Sequence, residues 1–97
     1  MQVAELLDAW PQLDHDDQLR GFRELSREDA EAFVPALPAR DAAELLAGLP
    51  ATERKTWMRL LAPDDVADIL QECEVDQRAD LLSLLDEAMR KEVTVLM

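Results

Sequence analysis

LAPDDVADILQEC (Leu61–Cys73) combines a helix opening, an apolar stripe and the densest negative charge of the chain. Taken as a helix from about Asp64, it places Val66, Ile69, Leu70 and Cys73 on one face, at the i, i+3, i+4, i+7 spacing of a core stripe. Asp64, Asp68 and Glu72 recur every four residues. At about 100° per residue the acids centre roughly 150° from the apolar group. Between Arg59 and Arg78 there is no Lys or Arg, so these carboxylates have no local cationic partner in sequence. Like charges at i, i+4 repel by a few tenths of a kcal/mol per pair. The ridge is therefore a solvated face, the simpler reading of the residues alone, or a seat for a cation or a basic partner.

The apolar residue that closes this stretch belongs to a period. Leu13, Leu25, Leu37, Leu49, Leu61, Cys73, Leu85 and Met97 are each twelve residues apart, and Met1 is in phase with them. The ninth and tenth positions of each unit are mostly apolar: Gly21-Phe22, Phe33-Val34, Leu45-Leu46, Trp57-Met58, Ile69-Leu70, Leu81-Leu82 and Val93-Thr94. The fifth position is acidic at Glu5, Asp17, Asp29, Asp41, Glu53 and Asp65, and Gln77 and Met89 break that column. A twelve-residue period cannot be one straight helix, because twelve residues advance about three turns plus 120° and would scatter the leucines around the axis. The chain must turn once per unit. Pro11, Pro38, Pro50, Pro63 and the Asp14–Asp17 cluster mark most of the junctions. Ser26, three residues before Asp29, is placed to cap a new helix. Pro35 falls late in the third unit and should end or kink its helix, and Trp10-Pro11 interrupts the first unit. No strand pattern occurs. The expectation is an all-α solenoid of seven to eight short helices that persist by packing on their neighbours.

Composition narrows the function. The chain has 97 residues, expected to form a single domain, with a net charge of −12 from 22 acids and 10 bases. Nucleic acid is disfavoured, because phosphate binding needs Lys and Arg, and so is direct docking on an anionic membrane. No run of about 18 apolar residues could cross a bilayer, and MQVAELLDAW lacks the form of a signal peptide. One cysteine excludes an intramolecular disulfide.

Catalytic chemistry finds no foothold. His15, the only histidine, lies in an acidic turn without a nucleophile nearby in sequence. Cys73 occupies a leucine slot and is read as a core residue. There is no phosphate loop or zinc-ligand spacing, so an enzyme is not expected. Phe33 and Trp57 read as core; Trp10 reads as core or as an anchor for a neighbouring domain. Arg54, Lys55, Arg59 and Arg78 read as solvent-facing partners for nearby acids. The six carboxylates Asp64, Asp65, Asp68, Glu72, Glu74 and Asp76 do not have EF-hand spacing, but a helix face can offer one or two of them to a hydrated Mg²⁺.

The units DAAELLAGLP (Asp41–Pro50), LAPDDVADIL (Leu61–Leu70) and DQRADLLSLL (Asp76–Leu85) together resemble the cytosolic N-terminal domain of MgtE-type magnesium channels and transporters, most clearly from Leu25 to Met97. That resemblance implies a right-handed superhelix of short helices, and a parent membrane protein in which CBS domains and a homodimeric pore follow. It implies a domain on the cytoplasmic side of the plasma membrane, without direct membrane contact. It also implies regulation, in which Mg²⁺ bridges acidic residues of this domain and the CBS domains and favours the closed pore. The D-D-x-A-D segment then points to Asp64, Asp65 and Asp68 as ligands, with Glu72 on the same ridge and Glu44 in the A-E-L-L position of an earlier unit. The Mg²⁺ would be held weakly and shared with another domain. The alternative is an interaction solenoid of the kind found in the flagellar motor switch protein FliG, whose ridge would meet a protein and ignore divalent ions.

Overall fold

The computed structural model describes residues 2–97. Met1, in phase with the leucine column, lies outside them. The described residues form eight α-helices and no strand. These are α1 (Val3–Ala9), α2 (His15–Glu24), α3 (Arg27–Ala36), α4 (Ala39–Ala47), α5 (Ala51–Leu60), α6 (Pro63–Glu72), α7 (Val75–Ser83) and α8 (Glu87–Leu96). Each helix begins twelve residues after the one before it. The expected all-α repeat of short helices is what forms.

The leucine column closes the helices. The backbone N–H groups of Leu25, Leu61 and Cys73 donate to Phe22, Trp57 and Leu70 carbonyls at 3.1, 3.0 and 3.2 Å. These capping residues have extended backbones, with φ between −85° and −71° and ψ between 143° and 152°. The next residue is extended as well, as at Ser26, Ala62 and Glu74, and the following residue opens the next helix. Many helices instead stop on a left-handed glycine. No described residue here has positive φ, so a leucine can stand at the corner and two glycines suffice for the chain. Leu37, Leu49, Leu61, Cys73 and Leu85 are buried, whereas Leu13 and Leu25 are half-buried and Met97 is exposed. Burying one such leucine stabilises the fold by about 1.5–3 kcal/mol.

The acidic column has an equally local cause. Glu5, Asp17, Asp29, Asp41, Glu53 and Asp65 are each the third residue of a helix, beside the positive end of its dipole. Three corners add a true cap: Asp14 accepts the Asp17 N–H at 2.8 Å, Ser26 the Asp29 N–H at 3.1 Å, and Asp86 the Met89 N–H at 2.8 Å. Pro63 takes the first position of α6, where its missing N–H costs nothing. Pro35 is the penultimate residue of α3, which ends at Ala36.

The chain divides into two compact units, one running to Pro38 and the other covering Ala39–Met97. In the first, α1 packs on α3. Trp10, in a 3-10 turn after α1, meets Phe33 edge-on at 5.0 Å, and Phe22 lies 6.1 Å from Phe33. Trp10 is thus core, only 3% exposed. In the second unit α6 packs against both α4 and α8, and α5 against α7. Val66 and Leu70, from the apolar stripe of α6, are fully buried.

Candidate functional site

The apolar face of α6 goes inward, which leaves Asp64, Asp68 and Glu72 exposed on the outside and Asp65 half-buried. None of the four is ion-paired within the described residues. Asp65 is one of the third-position acids that complement a helix dipole, so its presence has a structural cause. Asp64 and Glu72 are eight residues apart, about 12 Å along the axis, too far to share one ion. Among the described residues no three His, Cys, Asp or Glu side chains converge to hold a metal.

A different arrangement brings two of the expected residues together. Glu44 of α4 and Glu72 at the end of α6 line one groove of about 300 Å³ with Arg40, Ala43, Glu74 and Gln77. Asp64, Asp65 and Asp68 do not line it. The next-but-one packing of α4 on α6 carries the two glutamates to the same groove, and the corner after α6 adds Glu74. Glu74 belongs to the acidic run in sequence, yet its place in the same groove as Glu44 depends on that packing.

Arg40 Nε lies 3.9 Å from Glu44 Oε1, an exposed pair four residues apart on α4. Such a pair contributes little. Three carboxylates against one guanidinium leave the groove net negative. Gln77 Nε2–H donates to the Ala43 carbonyl at 3.5 Å across the groove. Mg²⁺ keeps several waters and takes one or two carboxylates; the groove offers carboxylates but, among the described residues, no converged metal cluster.

The remaining polar residues resolve differently. Arg78 is not a solvent-facing partner for acids: it is half-buried and donates to the carbonyls of Leu70 at 2.8 Å and Cys73 at 3.2 Å. Arg54 is half-buried, and Lys55 and Arg59 are exposed. His15 is exposed at the first position of α2. Cys73 is buried, and its Sγ–H donates to the Ile69 carbonyl at 3.2 Å. Burial pushes its thiol pKa up, Arg78 draws it down, and Glu72 raises it further. That is the environment of an inert core thiol. No described helix is long and apolar enough to cross a membrane.

Residues 1–97, the whole chain, match the model of a family described as the MgtE intracellular N domain. No curated protein matches the chain.

Proposed function

The chain belongs to the MgtE intracellular N domain family, and on that premise we propose that it is the regulatory cytosolic domain of a magnesium transporter and senses intracellular Mg²⁺. The observation that carries this reading is the match over all of residues 1–97. The family is described as an intracellular domain, and that supports a regulatory rather than a catalytic reading.

In this reading the acidic surface supplies half of an ion site and the CBS domains of the parent supply the other half. At high Mg²⁺ the ion bridges the two, and their mutual repulsion falls. At low Mg²⁺ like charges push the domains apart. A cation that binds the associated arrangement better shifts the population toward it, by no more than its difference in affinity. Glu44, Glu72 and Glu74 are the first candidates on this side, because they share a groove. Asp64 and Asp68 remain candidates for a second contact along the α6 ridge, and Asp65 for one at its start.

The test is an NMR titration of the chain with MgCl₂ at constant ionic strength, with NaCl as control. Saturable shifts at Glu44, Glu72 and Glu74 that Na⁺ does not produce are expected. Small uniform shifts equal to those of Na⁺ mean screening alone and remove these residues from the site. A second titration adds the CBS pair of an MgtE transporter, and Mg²⁺-dependent association is the expected outcome.

A further inference from the structure

Beyond α1, three helices bury only one residue each among the described residues: Phe22 in α2, Leu81 in α7 and Val93 in α8. α4 and α6 bury four each. Elements with few buried apolar contacts open first, so burial alone would let α8 and α7 open ahead of α6. The same three helices carry a hydrogen-bonding side chain at their fourth position, Gln18, Arg78 and Arg90, where α4 and α6 have the buried Ala42 and Val66.

Those three side chains reach equivalent backbone atoms. Gln18 Nε2–H donates to the Trp10 carbonyl at 2.9 Å, Arg78 Nε–H to Leu70 at 2.8 Å and Arg90 Nε–H to Leu82 at 3.3 Å. Each acceptor lies eight residues back, and it is also the carbonyl that takes the N–H of the corner residue, Leu13, Cys73 or Leu85. The arginines add a bond to the corner carbonyl itself, Arg78 Nη2–H to Cys73 and Arg90 Nη2–H to Leu85, both at 3.2 Å. The last carbonyls of a helix have no partner within it, and a guanidinium fork satisfies several of them at once. The negative end of the helix dipole adds to the attraction.

We propose that Arg78 and Arg90 are clamps that stand in for missing apolar burial, so that α6, α7 and α8 open as one cooperative unit instead of one helix at a time. α6 is the anchor of that unit, since it packs on both α4 and α8 and its Val66 and Leu70 are fully buried. Arg78, half-buried and with a further bond to the Gln71 carbonyl at 3.5 Å, fastens α7 to the end of α6. Arg90 fastens α8 to the end of α7 in the same way.

Native-state hydrogen exchange of the 97-residue chain tests this, read by NMR at the amides of Leu70, Leu81 and Val93, one in each helix. In wild type the three should share one opening equilibrium, agreeing within about threefold. Arg78→Met keeps the apolar stem and removes every donor, and should raise opening at Leu81 about tenfold relative to Leu70, the scale of a lost charged hydrogen bond. Arg90→Met should do the same at Val93 relative to Leu70. Arg78→Gln keeps a donor, as Gln18 does in α2, and should restore most of the wild-type ratio. Stepwise opening in wild type, with Val93 and Leu81 far ahead of Leu70, would overturn the proposal. So would a rise by one common factor at all three amides in Arg78→Met, which is plain loss of global stability. Arg78→Lys keeps the charge without the fork, and wild-type exchange in that variant would assign the effect to the dipole and overturn the clamp. Should Arg78→Met not fold, the exposed Arg90 carries the same comparison: an unchanged ratio of Val93 to Leu70 in Arg90→Met overturns the proposal.

Discussion

Leu6 fills the space that a side chain at residue 21 would need: a Cβ on Gly21 would stand 2.9 Å from Leu6 Cδ1. From residue 21 onward, Gly21 is the one member of the ninth-position column that is not a large residue or a β-branched one. Leu6 is completely buried, so any shift of its methyl takes place within the core. Restoring the column with Gly21→Leu should destabilise the chain by about 1–3 kcal/mol through overpacking, despite the better helix propensity of leucine. Gly21→Ala should cost less, because its gain in propensity of about 1 kcal/mol opposes a displacement of a single methyl. Urea denaturation of both variants measures this, and a leucine variant as stable as wild type would refute the close packing of Leu6 on α2.

The corners differ in how they hold the next helix, and the difference should be measurable. Asp14, Ser26 and Asp86 each accept a backbone N–H from the third helical residue, while Ala62 and Glu74 make no such bond. Replacing any of the first three with alanine should cost about 1 kcal/mol. Glu74→Ala should cost clearly less. Chemical denaturation of the four variants would expose the claim as wrong if Glu74→Ala proved the most damaging.

These corners also explain what could and could not be read from the sequence. The period of twelve is legible because one chemical demand recurs: a large apolar residue at an extended corner, then an acid at the third helical position. Leu37, Leu61 and Cys73 meet the first demand, and Asp17, Asp29 and Asp65 the second. The groove is harder to see, since Glu44 and Glu72 are 28 residues apart and become neighbours only through next-but-one packing. Arg78 was least visible. Its charge suggested a surface partner for acids, whereas its role depends on carbonyls that no side-chain pattern displays. Asp65 carries two readings at once, since its third position in α6 gives it a dipole role as well as a place on the acidic ridge.

Cys73 should behave as a core thiol. It is 6% exposed, and burial raises its pKa, an effect that Arg78 offsets in part and Glu72 reinforces. Alkylation under native conditions should be slow and should accelerate in urea. At pH below the unfolded pKa, about 8.5, both states carry the neutral thiol and folding is unaffected. As the pH rises past that value the unfolded chain ionises first, so stability falls until the folded thiol ionises too. Denaturation midpoints of wild type and Cys73→Val between pH 7 and pH 10 should diverge in that window, roughly, at the alkaline end only. Parallel curves would show that the thiol is not shielded.

The acids of the second unit should separate by the job each performs. Asp65 stands third in α6, where the charge complements the dipole, so Asp65→Asn should cost about 0.3–1 kcal/mol of stability. Glu44 and Glu72 line the groove and are exposed, so Glu44→Gln and Glu72→Gln should leave stability within about 0.5 kcal/mol. Each should instead weaken the Mg²⁺ response, and the double variant should abolish it. Asp68→Asn, on the exposed ridge but outside the groove, separates the two geometries. If the ridge of α6 binds the ion, Asp68→Asn weakens the response as much as Glu72→Gln does. If the groove binds it, Asp68→Asn changes little, and the decisive pair is the one that packing assembles from α4 and α6.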